Sequence, residues 1–222
     1  MSNSAHLGGG YAESAPDSAP TVRAVLDAAT SGDPEAGLVV ISGPPGCGKS
    51  TLARHLLCRL PGSCCVDKDW VAGGFILEAA AQENLTPSAA YGTPRYWQQL
   101  RPLEYGGATN SACAQLIGRR TVLLLGGWGP ELAAFDMWPR LAEAIAPSSL
   151  QVLHLDPPAV KVWQARMQAR GSRADSPWFD GFAARLSASP VWSGAHRLST
   201  DGSIHDVAQQ ALSALSLAPP PR

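Results

Sequence analysis

A three-layer α/β fold around a five-stranded parallel sheet is predicted by three observations. Short β-rich apolar runs recur along the chain, each followed by a helical pattern, and that alternation yields a parallel sheet covered on both faces. The first run, Leu38-Val39-Val40-Ile41-Ser42, is apolar nearly throughout, as a strand buried on both faces should be. Directly after it comes Gly43-Pro44-Pro45-Gly46-Cys47-Gly48-Lys49-Ser50-Thr51, a complete Walker A phosphate loop between strand and helix.

The elements follow in order. Met1 to Pro20 is rich in Ser, Ala, Gly and Pro, so a disordered lead is expected, with one domain over residues 21–217 and a flexible proline-rich tail over 218–222. Thr21 to Thr30 is read as a short helix with Val22, Val25 and Leu26 on one side. After the first strand, Lys49 to Leu60 is helical, with Leu52, Leu56, Leu57 and Leu60 as its apolar stripe and Pro61-Gly62 as its stop. Ser63 to Asp67 is the second strand, Trp70 to Gln82 a helix, and Asn84 to Tyr96 a loop. Pro102 starts a helix towards Arg119, with Glu104 in its first turn. Thr121 to Leu125 is the third strand; Leu132 to Ile145 is a helix interrupted near Pro139. Leu150 to Leu155 is the fourth strand, Pro158 to Arg170 a helix, Ala195 to Ser199 the fifth strand and Ile204 to Leu217 the closing helix.

Composition narrows the possibilities. A length of 222 residues with 45% hydrophobic residues supports one cored α/β domain rather than two. The net charge of −1 argues against a long nucleic-acid partner, which would call for a basic face. No apolar run is long enough to span a bilayer and no signal-peptide pattern opens the chain. The five cysteines form an odd set without metal spacing, pointing to a reduced, cytoplasmic setting. Cys47 is expected to be accessible inside the phosphate loop and protected from alkylation by ATP.

The loop's chemistry is specific. Gly43, Gly46 and Gly48 let successive backbone N–H groups converge on phosphate oxygens, Lys49 reaches the outer phosphates, and the Ser50 hydroxyl suits magnesium. No Asn-Lys-x-Asp segment reads guanine, and the third strand ends Leu125-Gly126-Gly127 without the acid a motor ATPase uses on magnesium and water. Two other features favour phosphoryl transfer to a small acceptor. Asp67-Lys68-Asp69 closes the second strand at the sheet edge where ligands collect. If extended, it projects Asp67 and Asp69 one way and Lys68 the other, and a carboxylate there could take the acceptor's proton; capping of the next helix by Asp69 is the competing role. Arg166 and Arg170 share a helix face with Arg173 just beyond, as in a lid over the phosphates, or in a solvated surface face. Trp70 and Trp128 are placed at an acceptor pocket, Trp138 and Trp163 in the core. Arg101 either reaches the acceptor or pairs with Glu104.

Gly43 to Leu52, Lys68-Asp69, Leu100-Arg101-Pro102-Leu103-Glu104-Tyr105 and Arg166-Met167-Gln168-Ala169-Arg170-Gly171 together resemble the small P-loop kinases catalogued as AAA-domain proteins. That group is similar to chloramphenicol phosphotransferase, the polynucleotide 5′-kinase domain and zeta-type toxins. The resemblance spans about Leu38 to Ser199 and implies a P-loop NTPase sheet of nucleotide-kinase type with a small arginine-bearing lid, about residues 166–190. It implies Asp69, or else Asp67, as base, with Arg166, Arg170 and Arg173 in the lid. Relatives carry an Asp after the third strand, so magnesium here would lean on Ser50 and Asp67. They also carry an Arg-Asp pair where this chain reads Arg170-Gly171-Ser172-Arg173.

The resulting expectation is an ATP- and Mg2+-dependent phosphotransferase acting on a hydroxyl of a small molecule: a nucleoside, a sugar or an antibiotic. Catalytic roles fall to Lys49, Asp69, Asp67, Arg166, Arg170 and Arg173; the acceptor side to Asp69, Trp70, Arg101 and Trp128. A nucleotide-dependent regulatory protein without turnover is the alternative, and a nucleic-acid 5′-hydroxyl kinase the third reading. A monomer or homodimer without a membrane partner is expected.

Overall fold

The computed structural model describes residues 17–91 and 93–217. The expected disordered lead lies outside them up to residue 16, and the expected tail lies outside them entirely. α1 (Ala19–Ala28) begins two residues before its expected start, because Pro20 fits a first helical turn, where its missing N–H is not needed.

β1 (Gly37–Ser42), β2 (Cys64–Asp67), β3 (Thr121–Leu125), β4 (Ser149–Leu155) and β5 (His196–Leu198) form one sheet in the order β2-β3-β1-β4-β5. Every neighbouring pair is parallel. The connections are helical: α2 (Lys49–Leu57), α3 (Lys68–Gln82), α4 (Pro87–Ala90), α5 (Arg101–Cys113), α6 (Gly129–Leu132), α7 (Met137–Ile145), α8 (Val160–Ala169), α9 (Trp178–Ser187) and α10 (Ile204–Leu217). Among the described residues no helix is long and apolar enough to cross a membrane.

Alternation along the central strand divides the core in two. Leu38 and Val40 pack with Val25, Tyr105, Trp138 and Leu141 beneath α1, α5 and α7. Val39 and Ile41 pack with Leu52, Leu56, Val207 and Ala211 beneath α2 and α10. Burying each of these large side chains is worth roughly 1.5–3 kcal/mol, which is why the sheet is continuous and apolar at its centre.

Four departures from the sequence expectation have physical causes. Pro102 is not the first residue of its helix. A π-helical turn, Tyr96–Leu100, runs straight into α5, with the Arg101 N–H reaching back to the Tyr96 carbonyl. Pro102 has no N–H to offer the preceding turn, and the wider turn accommodates it. The same helix stops at Cys113 rather than Arg119, where the chain turns towards Gly118 at φ 59°. The break between α6 and α7 lies at Ala133–Asp136, not at Pro139, which sits in the first turn of α7. Finally, α9 carries Phe179, Phe182 and Ala183 at helical spacing; Pro177 before it and Gly181 within it obscure the pattern.

Candidate active site

The phosphate loop is set by backbone geometry and braced from below. Gly46 and Gly48 have φ of 83° and 94°, the left-handed region that disfavours a side chain. At Gly46 a Cβ would also stand 3.1 Å from Met167 Sδ and 3.2 Å from Trp163 Cδ1. The Trp163 indole N–H donates to the Pro45 carbonyl at 2.7 Å. α8 thus holds the loop by contact and by a hydrogen bond, and Trp163 is buried as expected. Lys49 Nζ donates to the carbonyls of Gly43 at 2.7 Å and Pro44 at 3.0 Å. Burial lowers the Lys49 ammonium to about 8, against a partial counter-pull from Cys47 and Asp69. Cys47, expected to be accessible, is instead 3% exposed and packs into the core under α2, where burial pushes its thiol up to about 12. Buried and held as a thiol, it will not alkylate readily.

At the end of β2 the chain enters α3 without an extended stretch. Asp67 caps the helix, its Oδ1 accepting the Asp69 N–H at 3.0 Å. Capping therefore falls to Asp67, and the extended projection of Asp67 and Asp69 with Lys68 opposed does not occur. Asp67 Oδ2 lies 3.5 Å from Ser50 Oγ, so the two expected magnesium ligands are neighbours. A hydroxyl beside a carboxylate is a hard-oxygen donor pair that suits Mg2+. Burial and the neighbouring Asp69 charge raise Asp67 above the usual carboxylate range. Asp69 is lowered: burial would raise it, but the ammonium of Lys68, bonded at 2.6 Å, and then Lys49 and Arg170 outweigh that.

Lys68 turns inward and begins a network that sequence spacing did not reveal. Its Nζ bonds Asp69 Oδ1 at 2.6 Å and Glu104 Oε1 at 2.8 Å. Burial alone would depress Lys68, but Glu104 and Asp69 overcome it and hold the charge. Tyr96 OH donates to Glu104 Oε2 at 2.7 Å and accepts from Arg101 Nη1 at 3.3 Å. Arg101 Nε and Nη2 donate to the two oxygens of Glu131 at 3.0 and 2.6 Å, a bidentate pair. The Arg101 guanidinium also stacks over Tyr105, 4.1 Å from the ring centre. Arg101 pairs with Glu131, therefore, and not with Glu104. Both glutamates are fully buried.

Lys68, Tyr96, Arg101 and Tyr105 of this network line one cleft of about 880 Å3 that runs from the phosphate loop past Asp67 and Asp69 to Tyr91 and Trp97. Its volume lies at the upper end of the range for small-molecule sites. Trp70 stands at the cleft with 67% of its surface exposed. Trp128 does not reach it. That residue is fully buried between Tyr105 and Trp138, and its expected place in the pocket is corrected to the core. Gly126 is needed for this packing, since a Cβ there would meet Trp128 Nε1 at 2.7 Å. Tyr91, Tyr96 and Trp97 carry no local signal of a place at the cleft, since Asn84 to Tyr96 reads from the sequence only as a loop.

The lid arginines divide. Arg166 and Arg170 line the cleft beside the phosphate loop, and Arg166 Nη2 donates to the Thr200 carbonyl at 3.3 Å. Arg173 turns away, bonding Asp175 Oδ1 at 3.0 Å and covering the Trp178 ring. It does not line the cleft, because α9 and its apolar contacts with Trp163 and Met167 carry residues 173–178 to the far side.

Comparisons with known proteins bear on the family and the fold. No curated protein matches the chain by sequence. Among solved structures, the tunicamycin resistance protein of Deinococcus radiodurans is 19% identical at a TM-score of 0.55, covering 82% of this chain and 97% of its own. The protein TT1252 of Thermus thermophilus is 20% identical at 0.50, covering 83% and 99%. A gluconokinase of Sinorhizobium meliloti is 16% identical at 0.49, covering 81% and 91%. Identities this low carry the fold alone. The AAA ATPase domain family matches residues 20–221. With its phosphate loop after the central strand of an all-parallel sheet, the chain belongs to the AAA ATPase domain family and has the fold of the small P-loop kinases.

Proposed function

We propose that this protein transfers the γ-phosphate of ATP to a hydroxyl group of a small molecule. The observation that carries the reading is the joining of two unlike half-sites in one cleft: the Lys49 loop, and an ionised Asp69 backed by an aromatic wall. A protein that only bound nucleotide would have no use for the second half.

The chemistry assigned to each group follows from its position. The loop N–H groups and Lys49 bind the triphosphate, and Arg166 and Arg170 offset charge on the transferring group. Ser50 and Asp67 would hold Mg2+, which when bound neutralises phosphate charge. Asp69 keeps one oxygen on Lys68 and uses the other to accept the acceptor's proton. The acceptor oxygen bonds to the γ-phosphorus, the bond to the β–γ bridging oxygen breaks, and ADP leaves with that electron pair. Leu125-Gly126-Gly127 offers no carboxylate beside the phosphates to prime water, which favours an alcohol as nucleophile.

The test is a panel of hydroxyl-bearing metabolites and antibiotics incubated with ATP and Mg2+, with phosphorylated product read by mass. One or more members gaining a single phosphate supports the reading. Tight ATP binding with no product across the panel, and a protein partner retained only with nucleotide, would favour the regulatory alternative.

A further inference from the structure

The acceptor half of the cleft has a charge pattern that says what it will admit. Lys49, Arg166 and Arg170 stand on the phosphate side of the cleft; on the aromatic side the cations are Lys68 and Arg101, and a site for an anionic acceptor would leave one of these two free. Neither is. Lys68 is held between Asp69 and Glu104, at 2.6 and 2.8 Å. Arg101 gives the Nε–Nη2 edge of its fork to Glu131 and its Nη1 to Tyr96 OH. Three carboxylates, Asp69, Glu104 and Glu131, therefore answer two cations. Both cations of this side are thus already bound to their carboxylate partners.

The rest of this half is aromatic. Tyr91 and Tyr96 meet edge to face at 4.8 Å, Tyr96 and Trp97 at 5.4 Å, and Tyr105 lies under the Arg101 guanidinium. Trp70 stands exposed at the same cleft, although a tryptophan on a helix surface is ordinarily costly to leave in water. Ring faces without free cations favour a flat, uncharged partner.

We propose that the acceptor is an uncharged, ring-bearing alcohol, and that Glu104 and Glu131 set this choice by cancelling Lys68 and Arg101. Anionic alcohols such as nucleoside monophosphates and sugar acids would meet only already-paired cations on this side and are disfavoured. The inference rests on the phosphotransfer reading for its activity assay but not for its binding assay. Glu104 and Glu131 are specificity-determining through the charges they neutralise and do not touch the reacting atoms.

Matched pairs test it: neutral nucleosides, hexopyranosides and benzylic alcohols against the corresponding monophosphates, sugar acids and carboxylated benzylic alcohols. Two readouts are taken on the full chain, namely phosphate transfer from ATP and the change in tryptophan fluorescence on titration without ATP. The neutral member of a pair should bind at least about tenfold tighter and, where transfer occurs, show a kcat/KM at least about tenfold higher. The three neutral classes report which ring is preferred. Trp70→Ala, an exposed change that should fold normally, should raise KM for the neutral member about fivefold or more and leave KM for ATP unchanged. Glu104→Gln keeps the shape and leaves Lys68 answered by Asp69 alone, so it should narrow the gap within each pair by about tenfold; circular dichroism confirms that the variant is folded. Anionic members that bind or react as well as neutral ones would overturn the inference and leave phosphotransfer standing. Absence of transfer to any member, with ATP bound, would count against phosphotransfer, and the fluorescence titration would then decide the inference by itself.

Discussion

The two halves of the cleft are built on opposite principles. The phosphate half is one short stretch of chain, Gly43 to Thr51, and in the proposed reaction its work falls to backbone N–H groups and one lysine. The acceptor half is assembled from side chains far apart in sequence: Lys68 meets Glu104 across 36 positions, and Arg101 meets Glu131 across 30. A backbone cradle depends on local conformation and tolerates change around it. A buried ion network depends on every member, because each charge left alone in the interior is costly. The first half should therefore fail functionally when altered, and the second half structurally.

The largest effect that would sharpen this contrast is Lys49→Ala. Transfer should become undetectable and ATP affinity should fall about 10- to 100-fold, the scale of a lost charge-assisted contact. Thermal stability should hold or rise, since a desolvated cation is removed. A large drop in stability would break the distinction.

Next comes Glu131→Ala. It leaves Arg101 buried without its bidentate partner and should cost roughly 3–5 kcal/mol in chemical denaturation. ATP affinity of the folded fraction should stay within about twofold. An unfolding midpoint equal to wild type would show that the network is not a structural unit.

A third expectation concerns acid. His154 lies behind the phosphate half, with Nδ1 3.1 Å from Ser42 Oγ and Nε2 3.5 Å from Asp156. Burial lowers it to about 4, against the pull of Asp156. Between its ordinary value near 6.5 and about 4, the unfolded chain binds a proton that the folded chain refuses. Stability contributed by His154 is thus complete above about 6.5 and lost as pH falls towards 4, by about 3 kcal/mol in all. His154→Gln should flatten that part of the stability curve. Lys68 and Arg101 are held far above their ordinary values and should add no slope there.

The smallest expected effect is alkaline. Lys49 titrates near 8 in the free protein, and a triphosphate would raise it. ATP affinity should weaken by up to about tenfold per pH unit above 8 in calorimetric titrations. An affinity independent of pH from 7 to 9.5 would mean that Lys49 stays charged throughout.

The same contrast explains what could be read from the chain. The phosphate loop, the five strands and most helices rest on neighbours in sequence, and they were legible to within a residue or two at the strands. Asp67 and Asp69 were legible as a pair at the sheet edge, but not their division of labour, which required knowing that α3 starts at Lys68. Glu104 and Glu131 carry no local mark that distinguishes them from surface acids, since burial and partner come from tertiary packing: α5 lies against β2 and β3, and Glu131 of α6 meets Arg101 of α5. Trp70 and Trp128 were equal candidates by position after a strand. Tertiary packing alone sends one to the cleft and the other to the core. Arg173 likewise looks like a third lid arginine until α9 is in place to turn it away.

The assignment of Asp69 as the proton acceptor joins the two halves, and it can be tested by one comparison. Asp69→Asn and wild type are measured side by side for ATP affinity and for phosphate transfer to the best acceptor. Transfer should fall by about 10³-fold, the usual scale for a lost general base, while ATP affinity changes less than about threefold. Full transfer by Asp69→Asn, or equal loss of both quantities, would contradict a site in which Asp69 serves the acceptor and the loop serves ATP.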